Sequence, residues 1–261
     1  MSAEFLNKLF TLDGQIAVVI GGTGVLGGAL AEGIAQAGAH VVVTGRSEER
    51  GQERVRAIEQ LGGQASYTQV DVASRQSLGE LLAKTVTEHG RVDCLVNCAG
   101  VNSAVPYFEI EDEDWDRVLE TNLRSTHWGC QIFGQHMTES GRGGAILNIG
   151  SVTSFRPLSR VFAYSASKAA VLSLTQNLAR ELAPSNVRVN VLCPGFFPAE
   201  QNRKILDKER IESIMQHTPM ARFGEPRELV AAALLLLSPV AGSFITGEAL
   251  VVDGGFTATS I

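Results

Sequence analysis

Short apolar runs and longer helical patterns alternate along nearly the whole chain, and that rhythm predicts the fold. The runs at 15–20, 40–44, 66–70, 94–97, 145–149, 187–192 and 249–252 read as strands of four to six residues. Most are apolar at consecutive positions, as strands are when both faces of a parallel sheet are covered. Helical spacing is predicted from the Gly-rich turn after the first run to Ala37, over 48–61, 74–89 and 112–139, from Tyr164 onward, and over 225–237. Gly38, Gly62-Gly63 and Gly90 stand where helices should stop. Strands alternating with helices predict an α/β, doubly wound parallel sheet of seven strands with helices on both faces. No linker or repeat divides 1–261, so one domain is expected. The stretch 195–222 breaks the rhythm: long, polar and charged around a few apolar positions, it reads as an inserted substrate loop.

Composition narrows the partners. A chain of 261 residues can bury an ample core, and 44% hydrophobic with 19% charged residues is ordinary for a soluble globular protein. A net charge of −6 with no Lys/Arg-rich run argues against nucleic acid. Residues 1–6 lack a basic segment leading into an apolar core, and the longest apolar run, 229–237, is too short to span a bilayer. No membrane association and a cytoplasmic location are therefore expected. Cys94, Cys98, Cys130 and Cys193 are scattered and read as small buried hydrophobes, and the five histidines show no metal spacing, so no metal is expected.

Two motifs carry chemistry. Tyr164 and Lys168 are four residues apart on a predicted helix, which places phenol and ammonium on one face. A neighbouring cation favours the phenolate, and bringing a phenol from about 10 to about 7 takes roughly 4 kcal/mol. Such a pair would exchange a proton with an alcohol or a carbonyl. Gly21-Gly22-Thr23-Gly24-Val25-Leu26-Gly27 follows the first strand and opens a helix, so Gly22, Gly24 and Gly27 satisfy G-x-G-x-x-G in the context of a dinucleotide site. The turn gives a pyrophosphate room to approach a helix N-terminus. At the end of the second strand, where an NAD site carries Asp or Glu, stand Gly45 and Arg46. The glycine leaves space and the arginine can bind a 2′-phosphate, which leans towards NADP. Arg46 stacked on adenine would serve NAD equally well.

With these motifs the chain resembles the short-chain dehydrogenase/reductase family, of Rossmann type, over nearly its whole length. Tyr164 and Lys168 match the family's active-site pair, and Ser151, thirteen residues upstream, matches its catalytic serine. Asn122 matches the asparagine that completes the tetrad and holds a water near the lysine. Asn97-Cys98-Ala99-Gly100 resembles the Asn-Asn-Ala-Gly turn, with Cys98 in place of the second Asn. Asp71-Val72 matches the adenine contact, and Pro194-Gly195 the turn beside the nicotinamide. Val25 stands where the family's middle glycine belongs, and Ala199 near its frequent threonine. The resemblance implies an NAD(P)-dependent oxidoreductase that moves a hydride between nicotinamide and a carbonyl or secondary alcohol. Tyr164 would be general acid and base, Lys168 would lower its pKa and contact the ribose, and Ser151 would bond the substrate oxygen. Gly21, Gly22, Gly24, Val25, Leu26, Gly27, Gly45, Arg46, Asp71, Val72, Asn97, Ala99, Gly100, Tyr164, Lys168, Pro194 and Gly195 would contact the cofactor.

The segments 155–160, 194–203 and 217–224 are similar to the D-mannonate oxidoreductase (fructuronate reductase) branch of that family. The small-molecule substrate implied is a sugar acid, with Arg156, Arg160 and Arg203 clamping its carboxylate and Gln201 and Asn202 bonding hydroxyls. Other readings are a reductase of keto-gluconate or of a 3-oxoacyl thioester, or a non-catalytic dinucleotide-binding homologue. The 229–237 helix and the last strand resemble the family's tetramer contacts, so a homotetramer is expected.

Overall fold

A computed structural model describes residues 2–197 and 208–259. Its seven strands form one all-parallel sheet: β1 Ile16–Ile20, β2 His40–Gly45, β3 Gln64–Gln69, β4 Cys94–Asn97, β5 Gly144–Ile149, β6 Val187–Pro194 and β7 Ala249–Val252. Their order is β3-β2-β1-β4-β5-β6-β7, so the winding reverses between β1 and β4. There β1 pairs with both neighbours, Val19 lying opposite Val43 and Val96, and the crevice beyond the strand ends is the natural ligand site of such a sheet.

The helices are α1 Ala3–Phe10, α2 Val25–Gln36, α3 Glu48–Gln60, α4 Arg75–His89, α5 Asp112–Leu119, α6 Ser125–Glu139, α7 Phe162–Leu182, α8 Lys208–His217 and α9 Val230–Leu237. Alternate strand residues feed separate cores. Ala17, Val19, Val41 and Val43 meet Leu30 and Ile34 of α2 and Leu236 of α9. Val18, Ile20 and Val42 meet Leu78 and Leu81 of α4 and Phe133 and Met137 of α6. Two-sided burial is why these strands read as continuous apolar runs.

Three local expectations are corrected. β3 begins at Gln64, two residues earlier than its pattern indicated, because its ladder to β2 starts at His40–Gln64. The helical stretch 112–139 is interrupted by a π turn at Glu120–Arg124. Inside that turn the Asn122 carbonyl accepts from the Thr126 hydroxyl at 2.8 Å. The stretch 195–222 is not only loop: its described part holds α8.

Candidate active site

The first residues of α2 form one wall of the central cleft. Gly24 is the N-cap and offers no side-chain cap, and no acidic residue occupies the first turn. The unpaired N–H groups of that turn therefore retain their capacity for an anion. Gly21 has φ 83°, and a Cβ there would lie 2.7 Å from the Ala99 amide nitrogen. A Cβ on Gly27 would overlap the Gly21 carbonyl oxygen. Turn, helix end and the start of the β4 loop are thus in van der Waals contact, and a side chain at either glycine would push them apart. These features fit the pyrophosphate of a dinucleotide.

The cleft measures about 700 Å³ and joins this wall to the catalytic candidates: Gly21, Gly24, Val25, Leu26 and Gly27 line it with Gly100, Tyr164 and Lys168. Val25, at the family's middle-glycine position, is 39% exposed there, so its side chain is accommodated at the mouth. Tyr164 and Lys168 sit within the first two turns of α7, with Lys168 Nζ 5.6 Å from the Tyr164 ring centroid. Lys168 is 5% exposed, and its ammonium donates to the Ile149 carbonyl at 2.8 Å. Asn122 is buried completely; its Nδ2 donates to the Val101 carbonyl at 2.9 Å and its Oδ1 accepts from the Val101 amide at 2.8 Å. Nδ2 also reaches Ser167 Oγ at 3.0 Å, tying the π turn to α7 one residue before Lys168. A Cβ on Gly100 would be 3.3 Å from Asn122 Oδ1 and 3.7 Å from Lys168 Nζ, so both groups converge on that glycine.

Electrostatics departs from the expectation that the lysine simply acidifies the tyrosine. Burial pushes the Tyr164 phenol up to about 12, with the hydrogen bond to Ser151 pulling the other way. Burial likewise pushes Lys168 down to about 8. Desolvation opposes the charged form of both groups and is the largest influence on each. Cys98 corrects a second expectation: it is half-buried and lines the cleft, with its thiol pushed up by burial to about 11.

A second cavity of about 70 Å³ adjoins Tyr164 and is lined also by Ser151, Asn102, Thr153, Gly195 and Arg210. Ser151 Oγ accepts from the Thr153 amide at 3.2 Å, which fixes it at the end of β5. The Thr153 hydroxyl is buried with no hydrogen-bond partner among the described residues. Gly195 is held by its amide, which donates to the Val252 carbonyl at 2.9 Å.

Several expected cofactor residues do not line the cleft. Asn97 turns into the protein: its Nδ2 donates to Asn148 Oδ1 at 2.8 Å, and Asn148 donates on to Thr175 at 2.9 Å. This buried polar chain staples β4, β5 and α7 together. Gly22 packs beneath the turn, where a Cβ would be 3.1 Å from the Val19 carbonyl oxygen. The space that Gly45 leaves is filled by the Thr23 side chain rather than left open for a phosphate. Arg46 is exposed at the end of β2, and Asp71 is exposed, its carboxylate accepting from the Ala73 amide at 3.0 Å. Val72, Ala99 and Pro194 flank the strand ends without lining either cavity. Arg50, Glu53 and Arg54 of α3 do line the cleft, although nothing in their local pattern set them apart.

The predicted substrate residues fare differently. The Arg156 guanidinium donates to the Thr257 carbonyl at 3.0 Å, and neither Arg156 nor Arg160 lines a cavity described above. Gln201, Asn202 and Arg203, like Ala199, lie outside the described residues.

The comparisons with known proteins agree with this geometry. The family model described as enoyl-(acyl carrier protein) reductase matches residues 23–257. The 3-oxoacyl-[acyl-carrier-protein] reductase FabG of Chlamydia pneumoniae is 33% identical over 247 residues, spanning 95% of this chain and 98% of that protein. The chain belongs to the short-chain dehydrogenase/reductase family. Gluconate 5-dehydrogenase of Gluconobacter oxydans (strain 621H) is 35% identical over 250 residues, covering 95% of this chain and 97% of that one. The crystal structure of a gluconate 5-dehydrogenase from Burkholderia cenocepacia J2315, in complex with NADP and tartrate, superposes with a TM-score of 0.93. It is 33% identical and covers 98% of this chain and 100% of that chain. The protein is an NAD(P)-dependent oxidoreductase of this family. Among the described residues no helix is long and apolar enough to cross a membrane, and no group of His, Cys, Asp and Glu is arranged to hold a metal.

Proposed function

We propose that the protein interconverts a keto sugar acid and its hydroxy acid, D-fructuronate and D-mannonate being the pair its sequence resembles. The observation that carries the chemistry is the meeting of Ser151, Tyr164 and Lys168 at the inner end of a cleft whose outer wall is the uncapped α2 terminus. The similarity to gluconate 5-dehydrogenases supports the substrate class.

Bound NADP(H) supplies or takes up the hydride. Ser151 donates to the substrate oxygen, and Tyr164, neutral at physiological pH with its phenol near 12, hands over a proton as charge develops there. In the oxidative direction Lys168, which burial brings to about 8, loses its proton before Tyr164 does, and its amine then takes the phenol's proton as Tyr164 accepts that of the alcohol. Asn122, clamped by Val101 and Ser167, anchors a water that returns protons from solvent to Lys168. The glycine turn and the α2 terminus hold the pyrophosphate. Arg46, exposed at the end of β2, favours NADP over NAD. The stretch 195–222 supplies substrate contacts, with Gln201, Asn202 and Arg203 as its polar ligands. The chain assembles as a homotetramer through the partly exposed face of α9, with Leu234 and Leu235, and the edge strand β7.

Apolar lining favours a second reading, a 3-oxoacyl thioester, since Leu158, Val161 and Phe196 share the smaller cavity. A spectrophotometric screen of D-fructuronate, 5-keto-D-gluconate and a 3-oxoacyl thioester with NADH and NADPH separately decides between them. Turnover of a keto sugar acid with NADPH is expected. Turnover of the thioester alone would overturn the substrate class and leave the proton chemistry in place.

A further inference from the structure

We propose that Ser154 is a positioning residue that keeps Ser151 in register with Tyr164 and Lys168, its amide holding the Ser151 carbonyl and its hydroxyl the Lys168 carbonyl. This role rests on Ser151, Tyr164 and Lys168 being the reacting groups, as proposed above, and does not depend on which ketone they act on. Ser154 ends the 3₁₀ turn Val152–Ser154, which the Ser151 side chain caps. The Ser154 amide donates to the Ser151 carbonyl at 2.9 Å, and its Oγ donates to the Lys168 carbonyl at 3.0 Å. One residue thus bonds the backbones of two reacting residues that lie on different elements. Lys168 in turn donates from Nζ to the Ile149 carbonyl, two residues before Ser151. These bonds close a ring through the end of β5, the 3₁₀ turn and α7, with Ser151 inside it.

The turn does not set its own position. Three residues of 3₁₀ helix have poor hydrogen-bond geometry and little cooperativity, so their placement follows what they are tied to. The firm partner is α7, a helix of 21 residues. A helical carbonyl spends one lone pair on its own ladder and keeps a second, so Lys168 accepts the serine without unwinding α7. From β6, Cys193 meets the same point: a Cβ on Gly150 would lie 2.8 Å from Cys193 Sγ and 3.5 Å from Ser154 Oγ. Both side chains therefore converge over the residue that precedes Ser151. What the ring preserves is the hydrogen bond between Ser151 and the Tyr164 phenol. A bond between side chains of two elements lasts only while those elements keep their register.

Steady-state kinetics with NADPH and the fastest of the three ketones named above test the assignment. Ser154→Ala should lower kcat about 3- to 30-fold, because a small displacement of a reacting group costs rate, with KM and NADPH affinity within about twofold of wild type. Ser154→Thr keeps the hydroxyl and should recover most of the lost kcat. The deciding readout is a double-mutant cycle. In a Ser151→Ala background, Ser154→Ala should change kcat by less than about twofold, because no serine hydroxyl is left to position. An equal loss in both backgrounds would overturn the proposal and reduce Ser154 to a general brace. Unchanged kcat in Ser154→Ala, or no recovery in Ser154→Thr, would overturn it too. If Ser151→Ala is impaired and Ser154→Ala is not, the reading of the reacting groups stands and the positioning role falls. If Ser151→Ala retains full turnover, that reading fails and the positioning role falls with it.

Discussion

Arg188 and Lys168 both reach into this fold, and the way each is partnered separates structure from chemistry. Arg188, on β6, donates to four main-chain carbonyls, those of Leu236, Leu237, Ser238 and Ile245, at 2.7 to 3.2 Å. Three of these cluster at the C-terminal end of α9, where carbonyls lack helical partners and the dipole favours a positive charge. Lys168 is more deeply buried, yet among the described residues its ammonium has one recorded protein acceptor, the Ile149 carbonyl. Burial lowers the pKa of both. The arginine's hydrogen bonds offset that penalty and hold a helix end, whereas the lysine keeps donor capacity facing the cleft. A buried charge left under-partnered at a ligand site is a place where stability is given up for function.

The sharpest way to break the comparison is to remove each cation. Lys168→Met should lower turnover about 100- to 10,000-fold, the range for loss of acid–base assistance. Arg188→Met should leave turnover per folded molecule within about threefold, since general surface-to-core effects away from a site alter stability first. Comparable losses of kcat in both variants would erase the distinction.

Stability should move in the opposite sense. In urea unfolding without cofactor, Arg188→Met should lose about 3 kcal/mol by leaving several carbonyls unpaired. Lys168→Met should gain about 1–3 kcal/mol at pH 7, because the folded protein no longer buries an ammonium. The sign follows from protons bound. Lys168 is held at about 8 in the folded protein, below its ordinary value of 10.5, so between these values the unfolded chain holds more protons. Wild-type stability relative to Lys168→Met should therefore rise with pH across that window and be lowest below about pH 8. A difference that is flat across the window would show that Lys168 carries no burial penalty.

The same contrast explains what was legible in the chain. Strand runs such as 15–20 and 40–44, and the glycines at 21, 24 and 27, are local signals, and the sheet and the cofactor wall follow from them. Tyr164 and Lys168 share a helix face because helical spacing is local too. The π turn at Asn122 was not readable from local helical spacing, which runs unbroken through it, and the Asn122 side chain is bonded to Val101, twenty-one residues away. The upward shift of Tyr164 was missed for a related reason: a neighbouring cation is visible in sequence, but desolvation by the whole fold is not. Arg210 was invisible because only the folded chain brings α8 to the cavity beside Ser151, fifty-nine residues earlier.

The central claim is that Tyr164 moves the proton while the α2 wall holds the cofactor. Tyr164→Phe keeps the ring in place and removes only the hydroxyl, so NADPH affinity and ketone turnover measured on one preparation test it directly. Turnover should fall at least about 100-fold with NADPH affinity within about threefold of wild type. Retained turnover, or loss of NADPH binding in parallel with turnover, would contradict it.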